Sequence, residues 1–173
     1  MIEGIEPTRA GSSGEASAWL DAERDAAWTA KLVILRVERL DDIDHFGECL
    51  REHERHVQDL ADWMRAEGTR IDPGVLREPS FATQEPHLIG ALADGTAVLA
   101  AMEAIETARL ARYPRRGEAT CAARCELARL LAQHRMDAQV RLVWLWRRLR
   151  GSRRPALPGN RHATLATPLS GRG

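Results

Sequence analysis

Phe46-Gly-Glu-Cys-Leu-Arg-Glu-His-Glu-Arg-His56-Val-Gln-Asp-Leu60 decides how this chain is read. Its apolar residues Phe46, Leu50, Val57 and Leu60, with Met64 beyond, recur at helical spacing, and His53 and His56 fall in step with them. Side chains three apart project from the same side of a helix, so both imidazoles point into a core. Leu130-Leu-Ala-Gln-His-Arg-Met-Asp137 repeats the arrangement, with His134 and Asp137 three apart between Leu131 and Leu142. Burying such groups costs on the order of several kcal/mol unless they are paired or bind a metal. The pairs His53/His56 and His134/Asp137 are therefore the strongest functional signal in the sequence.

Outward from these stretches the chain reads as helix throughout, and no segment alternates with period two. A first helix is expected from residue 15 to about 40, with Trp19, Ala22, Ala26, Ala30, Val33 and Val37 inward. Asp41, Asp42 and Asp44 offer carboxylates to cap a second helix, which runs to residue 67 and ends at Gly68. Pro73, Gly74, Pro79 and Pro86 exclude a helix across 68–86. A third helix is expected over 87–113, with Leu88, Leu92, Leu99, Met102, Ile105 and Leu110 inward. After a tight turn at Pro114–Gly117, a fourth is expected over 118–150, with Cys121, Leu127, Leu131, His134, Leu142, Leu145 and Leu149 inward. Cys121 and Cys125, one turn apart, read as small core residues.

The connections run short, long, short. Helices joined by short turns are antiparallel neighbours. The 19-residue connection reaches roughly 60 Å when extended, against about 39 Å for the second helix. It can cross the whole molecule. The expected fold is an all-α four-helix bundle with one long crossover between helices two and three.

The carboxylates echo this division. Glu23 precedes His53 by 30 residues, and Glu103 precedes His134 by 31. Each hairpin thus carries an acid on its first helix and an i, i+3 pair on its second. Glu23, His53, His56, Glu103, His134 and Asp137 form the candidate metal-ligand set. Asp21, Asp25 and Glu106 compete for the acidic roles. Imidazole with carboxylate suits iron, zinc and other transition ions alike, as one ion or as a pair.

In helix phasing and in the stretches 46–60 and 130–137, residues 15–150 resemble the ferritin-like superfamily, in its rubrerythrin-like and small uncharacterised branches. The resemblance implies a bundle that binds iron, with Glu-x-x-His on helices two and four and one Glu from each of helices one and three. This chain has His53-x-x-His56 and His134-x-x-Asp137 in those places. It implies iron handling or oxidation at a divergent core site. The alternative is a non-enzymatic helical interaction module with a vestigial polar core.

The 173 residues are 44% apolar and 29% charged with zero formal net charge, which fits one globular domain and gives the whole chain no preference for a polyanion. Residues 1–14 read as a flexible N-terminus. Residues 151–173 read as a disordered tail: from Arg147 to Gly173 there are seven arginines and no acid. That tail could contact nucleic acid or a shell protein. Leu142-Val-Trp-Leu-Trp146 is apolar on every side, so Val143 and Trp146 are expected to face outward and to be covered in a homo-oligomer. With no secretion signal and no apolar run near the roughly 20 residues that span a bilayer, the chain reads as cytoplasmic and not membrane-bound.

Overall fold

The computed structural model describes residues 10–113 and 122–152. They form an all-α protein: α1 (Ala10–Ile34), α2 (Leu40–Ala66), one 3-10 turn (Val75–Arg77), α3 (Glu85–Ala91), α4 (Gly95–Arg112) and α5 (Ala122–Ser152). The turn expected at Pro114–Gly117, the side chain of Cys121 and the Arg-rich tail lie outside the described residues.

Helix α1 stops earlier than its apolar pattern suggests. Arg36 lies just past its end and donates to three carbonyls: Leu32 O, Gly90 O and Leu92 O, each at 3.0 Å. One guanidinium thus satisfies carbonyls at the ends of both α1 and α3, which helix geometry leaves without partners. Helix α2 is capped by Arg39, with no side-chain bond. Asp42, expected at the cap, lies in the first turn and instead accepts two bonds from Arg148 at 2.6 and 2.8 Å. The other end of α2 follows expectation. Gly68 has φ +88°, Gly68 N–H reaches Arg65 O and Thr69 N–H reaches Met64 O. This is a left-handed glycine closure that a side chain would strain.

The expected third helix is two helices. Leu92 leaves helical geometry, and the Asp94 carboxylate caps α4 by accepting from Thr96 N–H and Ala97 N–H. Asp94-Gly95-Thr96 is a helix-start signal that the apolar spacing across residues 88–110 obscured. Leu88, expected inward, is consequently exposed. Cys125 is exposed too, not in the core.

Contacts fix the helix directions. Asp42, Glu52, His56 and Asp59 of α2 meet Arg148, Arg141, Asp137 and His134 of α5 in that order, so α2 and α5 are antiparallel. Glu103, Glu106 and Tyr113 meet Trp146, Arg141 and Arg135, so α4 and α5 are antiparallel as well. Helices α2 and α4 therefore point the same way. The segment between them is fastened to α1 by buried Asp25. Its Oδ1 accepts from Ser80 N–H at 2.7 Å and Phe81 N–H at 2.8 Å, and its Oδ2 accepts from Thr83 N–H at 2.8 Å. Phe81 is held there at φ +55°, a region that non-glycine residues seldom occupy.

The apolar core has two parts. One contains Trp19, Leu20, Val57, Leu60, Tyr113 and Leu131; the other contains Val33, Phe46, Ile89, Leu99, Met102 and Leu145. Full burial of a Leu or Phe contributes about 1.5–3 kcal/mol. On α1, α2 and α5 a group of buried polar residues interrupts these apolar stripes: Glu23, then His53 and His56, then His134 and Arg141. No helix among the described residues is long and apolar enough to cross a membrane.

Candidate metal centre

Glu23 is the hub. It is buried on α1, and its Oε2 lies 2.7 Å from His53 Nδ1 and 3.2 Å from His56 Nδ1. Its Oε1 accepts from the Tyr113 hydroxyl at 2.8 Å. Burial opposes its charge, but His53 and His56 prevail and hold its carboxyl well below the usual range. The i, i+3 spacing on α2 brings both imidazoles to one carboxylate, as the sequence implied.

The two histidines have different duties. His53 Nε2 faces Arg109 Nη1 at 3.5 Å, and a guanidinium can only donate. His53 is therefore the Nδ1–H tautomer, donating to Glu23. Burial first and Arg141 second push its pKa down to about 4, so it stays neutral. With both nitrogens engaged, His53 supports Glu23 and has no lone pair left for an ion. His56 is the reverse case. Its Nε2 lies 2.9 Å from Asp137 Oδ2, which places the Nε2 proton toward Asp137 and turns the Nδ1 lone pair toward Glu23. A lone pair and a carboxylate oxygen 3.2 Å apart need a shared cation, whether a proton or a metal ion.

His134 completes the group from α5. Its ring stacks on that of His56, with centroids 3.6 Å apart and planes 14° from parallel. It has no exposed surface, and neither ring nitrogen has a hydrogen-bond partner. Burial, followed by His56, pushes its pKa down to about 3, leaving a neutral ring with an unused lone pair. Ligand atoms of Glu23, His56 and His134 all lie within 4.8 Å of one another. Donors about 2.0–2.2 Å from a tetrahedral ion sit roughly 3.4 Å apart, so holding one ion with all three requires them to draw closer and the stacked His56 and His134 rings to turn out of parallel until both lone pairs converge.

The other expected ligands stand elsewhere. Asp137 is beside His56, as its orienting carboxylate, and also accepts from Arg55 at 2.8 Å. Glu103 lies outside the cluster, half-buried and accepting from Trp146 Nε1–H at 2.9 Å. Its place in the core is taken by Glu106. That residue accepts from Arg109 Nη1 at 2.5 Å and Arg141 Nε at 3.3 Å, and the two arginines hold its carboxyl below its ordinary range against the effect of burial. Arg109 also pairs with Glu85, and Arg141 with Glu52 at 2.7 Å. Tyr113, Arg109 and Arg141 have no counterpart in the sequence reading. The available signal was Glu106-x-x-Arg109, an acid and a base on the face that carries Met102 and Ile105.

No family model matches this sequence, and comparison with the curated proteins and with the solved structures returned no match.

Proposed function

We propose that this protein binds one divalent transition-metal ion per chain through Glu23, His56 and His134, in a ferritin-like four-helix bundle whose long crossover joins α2 to α3. The observation that carries the reading is His134, wholly buried with two unpartnered nitrogens beside the His56 Nδ1 and Glu23 Oε2 pair. An imidazole with no partner is costly in a core, and an ion would supply the missing interaction. The antiparallel contacts of α2 with α5 and of α4 with α5 support the bundle topology.

Two imidazoles and one carboxylate are a donor set that suits ferrous iron and equally accepts zinc. Bound there, such an ion would supply Lewis acidity and, in the case of iron, one-electron chemistry, which makes iron handling or oxidation the proposed role. The protein's own part is to fix the donors. Asp137 sets the His56 tautomer, while His53 and Tyr113 hold the Glu23 carboxylate. On the far side, Glu106, Glu85 and Glu52 are already engaged by Arg109 and Arg141, which favours one ion over two. The setting proposed is a cytoplasmic homo-oligomer. Met136, Val140, Val143 and Trp146, all exposed on α5, support association through that helix.

The test is anaerobic titration of metal-free protein with ferrous ion, and separately with zinc. One equivalent should bind. At about 100 times the dissociation constant, the gain of about 2.7 kcal/mol should raise the melting temperature by roughly 5–10 °C. His56→Gln and His134→Gln should abolish the shift, and Glu103→Gln should preserve it. Binding below a tenth of an equivalent, with no thermal shift, would end the metal reading.

A further inference from the structure

The buried Glu23/His56/His134 group has three kinds of surroundings. Toward α4 stand Arg109 and Arg141, two buried guanidinium groups tied to Glu106, Glu85 and Glu52 in a packed ion-pair network that leaves no opening there. Toward the end of α4 stands an aromatic wall. Tyr113 is stacked on Trp19 at 4.5 Å with its hydroxyl committed to Glu23. The third side is the seam between α2 and α5, and it is acidic. Asp137 Oδ2 lies 2.9 Å from His56 Nε2, and the Asp137 side chain is 18% exposed. Asp59 Oδ2 lies 3.9 Å from His134 Nε2, too far for a hydrogen bond, and its side chain is 42% exposed. Each imidazole of the proposed metal site thus has its own carboxylate on the outer side, and both carboxylates reach water. Arg55, 54% exposed, donates to Asp137 at 2.8 Å and so places a positive charge at this mouth.

We infer that the α2–α5 seam is the route by which a divalent cation reaches the buried site. Asp59 and Asp137 receive it, and Arg55 is the resident cation that it displaces. The inference rests on the metal reading above and adds a direction of approach and a control on its rate. Paired carboxylates exchange water ligands for oxygen ligands in steps, which eases dehydration of a hard or borderline ion. They also concentrate cations locally, and such focusing changes association rates by factors of about 10 to 1000. The unpartnered His134 ring behind Asp59 is the first neutral donor an ion would meet on the way in.

The experiment is stopped-flow mixing of the metal-free, full-length protein with Co(II), followed by absorbance, at low and high ionic strength. Asp59→Asn should slow association about tenfold, and Arg55→Gln should speed it several-fold, both with binding still one to one. The differences should shrink as ionic strength rises from about 0.01 to 0.5 M, where screening shortens from about 30 Å to a few Å. Glu38→Gln, exposed in the connection before α2 and 21 residues before Asp59, should match the wild type. If Co(II) binds the wild type and all three variants at the same rate, the seam is not the route, although the metal site stands. If Glu38→Gln slows association as much as Asp59→Asn, overall charge and not this seam sets the rate, and the inference fails. If the wild type takes up no Co(II), the metal reading fails together with the route.

Discussion

Replacing His134 by leucine should make the metal-free protein more stable while destroying its response to metal. The ring is fully buried, and both nitrogens lack partners. A neutral imidazole carries one donor and one acceptor, and mutational data put the cost of leaving such groups buried and unsatisfied at about 1–3 kcal/mol. Leucine is similar in volume and removes that cost. The change forfeits the stack on His56, since a ring pair contributes about 0.5–1.5 kcal/mol. The balance is a gain of roughly 0.5–2 kcal/mol. With a urea m-value of about 2 kcal/mol per molar, the unfolding midpoint should rise by about 0.3–1 M at unchanged slope. Circular dichroism melts in urea at pH 7.5, with chelator and then with excess zinc, would measure both effects. Wild type should be stabilised by zinc and the variant should not. A metal-free variant less stable than wild type by more than about 1 kcal/mol would refute the reasoning, because His134 would then be a satisfied core residue.

Asp25→Ala should cost about 3–5 kcal/mol in the same assay, since it strips the acceptor from Ser80, Phe81 and Thr83 N–H; Glu48→Ala, exposed on α2, should cost under about 0.5 kcal/mol. Arg148→Met should cost about 2–3 kcal/mol by leaving the buried Asp42 carboxylate unpaired, and adding Asp42→Asn should recover part of that loss in a double-mutant cycle. Acid should weaken the fold through His45, whose pKa burial lowers to about 4 from 6.5. Its folded value is the depressed one, so its contribution is complete above pH 6.5 and is lost as pH falls toward 4. His45→Gln should flatten stability against pH there by no more than about 1 kcal/mol per unit, given its partial exposure.

Half of the site was legible because its signal is local. His53/His56 and His134/Asp137 announce themselves by i, i+3 spacing within apolar stripes, and Glu23 by its distance from His53. What distinguishes Glu106 from Glu103 is not local. Both are one turn from apolar neighbours, and the choice is made by Arg141, contributed by α5. The same holds for His53, whose Nε2 is met by Arg109, a residue 56 positions away. Helix ends followed the same division. Gly68 closed α2 as written, because a left-handed closure depends on the glycine itself. Helix α1 ended early because Arg36 binds carbonyls near Leu92, which no inspection of residues 30–40 could show. Asp25 looked like a metal-ligand rival and is instead an anchor for residues 80–83, a role visible only once that segment is in place.

Glu23 and Asp25 stand two residues apart on α1, nearly opposite each other around its axis, and both are buried. The helix therefore has an inside on two sides: one carboxylate serves the histidines and the other clasps residues 80–83. Two separate parts of the sequence, residues 53–56 and 80–83, thus share one helix as their common support.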